Sequence, residues 1–180
     1  MITTVDVETS WQKTETGGYD PSPFHPDNIL VSVGINDEYY FTNHSERIDK
    51  GCASKIQSIL DKTTLLIGHN IKFDLMWLLE SGFKYSGRVY DTMLGEYVLN
   101  RGIRKSLTLE MSCRRRRIGS KDSRIKEFTD RGIPFQDIPA DLVEEYGRID
   151  VEITRRLFDS QMSDFKLPKN NFVLVPKPLG

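Results

Sequence analysis

Two carboxylates spaced two residues apart stand in the first apolar run of the chain. Residues 2–5 lead directly into Asp6-Val7-Glu8. In a β-strand this spacing places both carboxylates on one face, while Val5 and Val7 face a core. Two like charges held this close repel each other unless a cation lies between them. Oxygen ligands suit Mg²⁺ or Mn²⁺, so the pattern indicates a strand that carries metal ligands, although a solvated strand edge has the same spacing.

A third carboxylate follows a second short apolar run. Residues 64–67 predict a buried strand, and residues 75–79 predict a helix that begins just after Asn70, a residue type that caps helices. Asp74 therefore falls about one turn into a helix that begins where a strand ends. In α/β sheets, binding sites form at such junctions.

A fourth carboxylate, Asp150, lies in residues 140–158, where the apolar residues recur with helical spacing. Tyr146 and Asp150 are four residues apart and should project together from the edge of the apolar stripe. The stripe consists of Leu142, Tyr146, Ile149, Ile153 and Leu157.

These segments resemble the three motifs of the DEDD (DnaQ-like) 3′–5′ exonucleases, tyrosine subtype. The resemblance is to the proofreading domain of family A (DNA polymerase I-like) DNA polymerases, including phage-type ones. It runs over residues 2–162, and the stretch 90–99 with Ser106-Leu107 supports it. The matching motifs are Asp6-x-Glu8, Asn70-x-x-Phe73-Asp74 and Tyr146-x-x-x-Asp150.

The histidines also favour the tyrosine subtype. The related histidine subtype requires His five residues before the last Asp, and this chain has Glu145 there. His69 borders the second motif, but a histidine beside a strand end is expected to be a hydrogen-bonded structural residue. The other two histidines are His25 and His44.

The resemblance implies an α/β fold with a ribonuclease H-like mixed sheet flanked by helices. It also implies metal-dependent 3′–5′ hydrolysis of single-stranded or frayed DNA ends by two Mg²⁺ or Mn²⁺ ions, as in replication proofreading. Asp6 would be shared by both ions, and Tyr146 would orient the attacking water. A DNA polymerase, in cis or in trans, is the implied partner. The four implied metal ligands are Asp6, Glu8, Asp74 and Asp150.

Several further residues are candidates for substrate contact. Trp11 could stack a terminal base or simply pack its loop. The cations at 114–117 could bind phosphates or form a solvated face. Asp91 is expected to cap a helix that starts at Thr92. The substrate-binding set predicted from the resemblance is Thr9, Trp11, Asn70 and Phe73.

Two alternative functions remain open. A ribonuclease D-like enzyme that processes RNA 3′ ends shares the tyrosine subtype. A non-catalytic nucleic-acid-binding module could use the same scaffold, although it would be expected to lose ligands. A comparison of matched DNA and RNA ends distinguishes the first alternative, and a Mg²⁺-dependent activity assay distinguishes the second.

Size and composition set the wider limits. With 180 residues, the chain is expected to form one exonuclease domain over 1–162, followed by a Pro-containing tail over 163–180. A net charge of −1 excludes a global basic field for nucleic acid. Cys52 and Cys113 suggest reduced thiols, and no apolar stretch approaches the ~20 residues of a membrane span. We therefore expect a cytoplasmic protein, in the host cytoplasm if phage-encoded, without a membrane partner.

The pattern also predicts the order of elements. Three early strands, with Asn36-Asp37 as a hairpin turn, precede alternating helices and strands. Residues 11–27, rich in Gly and Pro, predict an irregular exposed loop. Strands are predicted at 2–8, 28–35, 38–42, 64–68 and 88–90, and helices at 51–61, 71–81, 92–99, 106–113, 121–128 and 140–160.

Overall fold

A computed structural model describes residues 1–119 and 124–165, which form a mixed sheet with helices on both faces. The strands are β1 (Ile2–Thr9), β2 (Gln12–Lys13), β3 (Tyr19–Asp20), β4 (Leu30–Ile35), β5 (Glu38–Phe41), β6 (Leu65–Gly68) and β7 (Arg88–Asp91). The helices are α1 (Cys52–Asp61), α2 (Ile71–Glu80), α3 (Thr92–Leu99), α4 (Leu109–Arg116), α5 (Arg124–Asp130) and α6 (Ala140–Asp164), with a 3-10 turn at Phe135–Asp137.

Five strands form the main sheet in the order β5-β4-β1-β6-β7. The first three of these strands in chain order pair antiparallel, and the predicted Asn36-Asp37 turn joins β4 to β5. Asn36 has a φ of 52°, a backbone conformation that Asn tolerates in tight turns. β6 and β7 then add in parallel beside β1. The predicted antiparallel start followed by alternating α and β is confirmed.

β1 lies at the centre of the sheet and faces a different layer on each side. Val5 and Val7 belong to a buried cluster with residues of α1 and α2, such as Ile56 and Leu78. The opposite face of the sheet is covered by α6, which packs on β1, β4, β5 and β6. The alternation of β1 therefore sends its valines to one layer and its carboxylates toward α6.

α6 is buried over a wider face than its predicted stripe. Val143, Gly147, Val151 and Thr154 are buried, whereas Leu142 from the predicted stripe is only half-buried. The reason is that α6 packs against the sheet and also against α3, α4 and α5. Asp150, which was expected at the edge of the stripe, is 2% exposed and lies within this buried face.

The segment after β1 is more ordered than predicted. β2 and β3 pair as a small antiparallel hairpin inside residues 11–27. The Trp77 indole N–H donates to the Pro21 carbonyl at 3.1 Å, and Asn28 Nδ2 donates to the Asp20 carbonyl at 2.8 Å. These hydrogen bonds fix the segment against α2 and against Asn28, just before β4, so the expectation of an irregular loop was wrong in part.

α4 begins later than predicted, whereas α6 begins at Ala140, as predicted. Thr108 caps α4 by accepting a hydrogen bond from the Met111 N–H, so this helix begins at Leu109 rather than at 106. The first residues predicted for α5, and the tail from 166 onward, lie outside the described residues. Within the described part of the chain, no helix has both the length and the apolarity that a membrane crossing requires.

Candidate active site

A gap in the sheet ladder positions Asp74. Thr4 is the last residue of β1 that pairs with β6, opposite Ile67, and β6 ends at Gly68. Beyond this point the main-chain N–H of Val7 donates to Asp74 Oδ1 at 3.1 Å. The helix carboxylate thus takes the place of the missing strand carbonyl. Asp74 is 3% exposed, and the residue that it binds lies in sequence between Asp6 and Glu8.

Asp6 and Glu8 face α6, as their strand pairing shows. Asp6 pairs with Gly34, and a Cβ built on Gly34 would lie 2.8 Å from Val151 Cγ2 of α6. Directly paired residues share a sheet face, so Asp6 and Glu8 face the same helix. Glu8 is 8% exposed and Asp6 is half-buried.

Tyr146 and Asp150 meet the strand carboxylates from α6. The Tyr146 hydroxyl is hydrogen-bonded to Asp150. Burial raises the pKa of Tyr146 far above its ordinary value, and the charges of Glu8, Asp150 and Asp6 raise it further. These interactions place Tyr146 beside three of the predicted carboxylates. Its hydroxyl stays protonated at neutral pH and acts as a hydrogen-bond donor.

A glycine–tyrosine contact lets α6 approach the sheet this closely. A Cβ on Gly147 would lie 2.6 Å from Tyr39 Oη, so only glycine fits at this point of the helix. Tyr39 is held by hydrogen bonds with Ser32 Oγ at 2.7 Å and the Val143 carbonyl at 3.3 Å. The sequence analysis missed both residues, although a glycine inside the Tyr146–Asp150 motif was a usable signal.

Negative charge accumulates at this site. Burial raises the pKa of Asp74 to about 7, and Asp91 also raises it, while the Val7 N–H and the helix backbone lower it. Burial likewise raises the pKa of Tyr39, as do the nearby Glu8 and Asp6. A cation in this place would offset both the poor solvation and the repulsion that raise these pKa values.

The chain matches a family model described as a 3′–5′ exonuclease, over residues 13–164. The chain belongs to this family of DNA polymerase A-type 3′–5′ exonucleases. Asp6 and Glu8 lie before the matched range, so their assignment rests on the geometry above. Nucleic acid is the substrate that membership of this family implies.

The exonuclease is similar to larger proteins. It is 23% identical to DNA polymerase I of Borreliella burgdorferi over 183 aligned residues, covering 93% of this chain and 20% of the relative. The chain thus spans about a fifth of that relative's length.

Two solved structures share the fold of the exonuclease. Brucella melitensis NrnC with bound Mg²⁺ has a TM-score of 0.62 and 16% identity, with 92% of this chain and 73% of that chain covered. The catalytic core of RRP6 from Trypanosoma brucei has a TM-score of 0.56 and 12% identity, with 92% and 42% covered. The predicted ribonuclease H-like sheet is confirmed.

The donor set of the exonuclease fits a hard divalent cation. Two aspartates and a glutamate of the set are almost fully buried, and carboxylate oxygens are the ligands that Mg²⁺ and Mn²⁺ prefer. Among residues 1–119 and 124–165, no three His, Cys, Asp or Glu side chains already form a closed metal cluster. The four carboxylates supply ligands from three separate elements: a strand, the start of α2 and the middle of α6.

The junction before α2 differs from the prediction in one detail. Asn70 stands at the N-cap position, but its backbone is left-handed, with φ 63°, and its side chain makes no capping bond. Its N–H donates instead to Asp91 Oδ1 at 2.9 Å, and the same oxygen accepts from the Met93 N–H at 2.8 Å. The predicted cap by Asp91 is confirmed, whereas the side-chain cap by Asn70 was wrong. The Asn70 side chain is therefore exposed and is not used in capping α2.

His69 has a structural environment, as predicted. Its Nδ1 lies 2.9 Å from Thr92 Oγ1, and its Nε2 lies 2.8 Å from the Leu107 carbonyl. Because both ring nitrogens are engaged, His69 joins the β6–α2 junction to the segment between α3 and α4.

The other predicted substrate residues have different surroundings. Thr9 is 6% exposed and follows an irregularity in the pairing of β1 with β4. Phe73 is partly buried against the core beneath α2. The Trp11 ring contacts Tyr19 edge to face, with centroids 4.1 Å apart. The packing interpretation of Trp11 therefore has direct structural support.

The four consecutive arginines divide into two pairs. Arg115 and Arg116 both bind Glu96, which is 2% exposed, and Arg115 Nη2 lies 3.1 Å from its carboxylate. Arg114 and Arg117 are both exposed, and neither takes part in this cluster. The predicted phosphate contact can therefore involve only Arg114 and Arg117 without breaking a buried ion pair.

Proposed function

We propose that the protein removes nucleotides from the 3′ end of single-stranded or frayed DNA with two divalent metal ions, as a proofreading exonuclease. The observation that carries this proposal is the approach of Asp74 to the β1 backbone between Asp6 and Glu8. Tyr146 and Asp150 face the same place from α6.

The four carboxylates have distinct positions and therefore distinct roles. Asp6 faces α6 and directly precedes Val7, whose N–H binds Asp74, so we assign it as the ligand that both ions would share. Glu8 and Asp150 would complete one metal position and Asp74 the other. When bound, such ions supply an activated water and stabilise the leaving 3′ oxygen.

Tyr146 contributes a fixed, neutral hydroxyl. Its hydrogen bond with Asp150 sets its direction, and the raised pKa keeps its proton in place. We assign it the role of orienting the attacking water. Because it stays protonated at neutral pH, it is not available to serve as the general base.

The substrate strand would enter beside the β6–α2 junction. The exposed Asn70 side chain and the half-buried Phe73 ring lie there, and Thr9 is at the far end of β1. We propose that these residues hold the last nucleotide through its backbone and through stacking, independently of sequence.

A basic loop beside this junction would bind phosphates. Arg101, Arg104 and Lys105 are exposed within five residues that contain no acidic side chain. The loop is tied down at its end, because His69 contacts the Leu107 carbonyl. This local patch compensates for the net charge of −1.

A DNA polymerase is the proposed partner, in cis or in trans. The support is the similarity to DNA polymerase I, of which this chain spans only 20%. The exonuclease would receive a mispaired 3′ end from that partner.

The decisive experiment compares DNA and RNA oligonucleotides of matched sequence, each with a free 3′ end, in Mg²⁺. The proposal predicts faster digestion of DNA, and Asp6→Ala purified in parallel controls for contaminating nuclease. Preference for RNA would favour a ribonuclease D-like enzyme. A protein that binds both oligonucleotides and digests neither would be a non-catalytic module.

A further inference from the structure

A cavity lies behind the carboxylate site. It has a volume of about 530 Å³ and is bounded by the first half of β1, the β4–β5 turn and α6. Thr4 lines it from β1, two residues before Asp6 and on the same strand face. Val151 lines it from α6, directly after Asp150. The cavity is therefore adjacent to the site, but none of the four carboxylates lines it.

Three arginines of α6 line the cavity: Arg148, Arg155 and Arg156. Arg148 is fixed by Glu144, at 2.7 Å, and by the Asp37 carbonyl, also at 2.7 Å. It therefore lines the cavity with a charge that is already partly balanced.

The other two arginines differ in how closely they are paired. Arg156 lies 2.7 Å from Glu152, whereas Arg155 Nε lies 3.7 Å from the Asp159 carboxylate. The Arg155 guanidinium also lies over the Phe158 ring, 5.8 Å from its centroid, which holds it in position without neutralising it. Of the three arginines, Arg155 thus has the positive charge that is least neutralised by a neighbouring carboxylate.

A buried hydroxyl also belongs to the cavity lining, in addition to the polar residues Asn36, Asp37 and Glu152. Thr4 is 1% exposed, and its Oγ1 has no hydrogen-bond partner among the described residues. Its main-chain N–H is already bound to Asn36 Oδ1 at 2.9 Å. Buried hydroxyls are normally paired, so an unpaired one in a cavity wall points to a ligand oxygen.

We propose that this cavity binds a nucleoside monophosphate. Arg155 would hold the phosphate, the Thr4 hydroxyl would donate to a ligand oxygen, and Ile2 with Val151 would pack against the base or sugar. The volume lies within the range of about 300–1,000 Å³ that is usual for small-molecule sites. The choice of a nucleotide rests on the proposed function, because exonuclease hydrolysis releases nucleoside 5′-monophosphates.

Calorimetric titration of the full chain in EDTA tests this proposal without requiring turnover. The probes are deoxyadenosine 5′-monophosphate, deoxyadenosine and inorganic phosphate. We expect the nucleotide to bind at least about tenfold more tightly than either fragment, since it alone uses both halves of the cavity. Arg155→Gln and Thr4→Val should each weaken nucleotide binding, by about tenfold for Arg155→Gln. Arg131→Gln, an exposed arginine outside the cavity, is the matched control and should bind as wild type.

The outcomes separate this proposal from the nuclease activity. Arg155 is partly exposed, so Arg155→Gln should fold even if Thr4→Val does not. Nucleotide binding that Arg155→Gln leaves unchanged, or that is no tighter than that of phosphate or deoxyadenosine, would overturn the proposal. If the wild-type protein binds the nucleotide in this cavity but has no nuclease activity, only the proposed function is contradicted.

Discussion

The main-chain N–H of Val7 donates a 3.1 Å hydrogen bond to Asp74 Oδ1. A helix carboxylate thus accepts a backbone hydrogen bond of β1 beyond the point where β6 ends. This bond joins the second motif of the chain to the first. Burial leaves the charge of Asp74 poorly solvated and raises its pKa to about 7, although the bond from Val7 itself lowers that pKa. Such an arrangement is unfavourable for stability unless a cation binds.

Asp74→Asn should separate activity from stability. The amide can still accept the Val7 hydrogen bond, but it supplies a weaker metal ligand, so activity should fall by roughly 10²-fold or more. Stability in EDTA should stay equal or rise, because a buried charge is removed. Urea unfolding and nuclease assays on the same preparation measure both. A folded variant with wild-type activity would remove Asp74 from the metal ligands.

Gly147→Ala should disturb the site through packing alone. The added methyl would overlap the Tyr39 ring, which is fixed by two hydrogen bonds, and overpacking of this kind costs about 1–3 kcal/mol. We expect α6 to move away from β1 and activity to fall with stability. Glu145→Ala, at an exposed position of the same helix, is the control and should change little. Wild-type stability in Gly147→Ala would show that the contact can relax.

Stability should depend on Glu96 at acid pH. Burial alone would raise the pKa of Glu96, but hydrogen bonds from Gln161, Arg116 and Arg115 hold it below its usual range. A carboxyl whose pKa is lower in the folded state stabilises the fold above its unfolded value of about 4.3. This contribution disappears as pH falls through the folded pKa.

Glu96→Gln tests this ion-pair cluster. Removal of one partner of a buried pair should lower the free energy of unfolding by about 3 kcal/mol at pH 7, with a smaller difference from wild type near pH 3. Urea titrations at both pH values measure it, with Glu15→Gln in an exposed loop as the control. A difference that is equal at both pH values would exclude the ionised carboxylate as the cause.

The fold was predictable where local signals were sufficient. The alternation in β1, the Asn36-Asp37 turn and the Asp91 cap each depend on residues close in sequence, and each appears as predicted. The left-handed backbone of Asn70 was not predictable, because Asn suits both an N-cap and a left-handed turn.

The site required contacts that a sequence pattern does not contain. The order of carboxylates indicated a metal site, but the bond from Val7 to Asp74 depends on where β6 ends. The Gly147–Tyr39 contact joins residues more than a hundred positions apart. Likewise, no local sequence signal showed that Glu96 forms ion pairs with two of the four consecutive arginines.

Phosphate binding should depend on the exposed cationic side chains and not on the arginines that form ion pairs. Replacing Arg101, Arg104 and Lys105 by Ala should reduce the slope of log affinity against log salt by roughly 0.7 for each phosphate that is no longer neutralised on a single strand. Arg114→Ala with Arg117→Ala tests the two remaining arginines of the run in the same way. Arg115→Ala should instead lower stability, because Arg115 pairs with Glu96. If all variants keep the wild-type slope, the substrate strand does not contact these side chains.

Tyr146→Phe gives a graded test of the orienting role. Loss of one directed hydrogen bond should reduce activity by roughly 10–10³-fold, whereas Asp6→Ala should reduce it by roughly 10³-fold or more, because two ions lose a shared ligand. Both variants should remain folded by circular dichroism. Full activity of Tyr146→Phe would contradict the role assigned to its hydroxyl.

The most direct measurement follows single-stranded DNA labelled at either end during digestion, in Mg²⁺ and in excess EDTA. A metal-dependent 3′–5′ exonuclease should shorten the 5′-labelled strand stepwise and release the 3′ label at once as a mononucleotide. EDTA and Asp6→Ala should each abolish both signals. Undiminished digestion in EDTA, or stepwise shortening of the 3′-labelled strand from its 5′ end, would contradict the account.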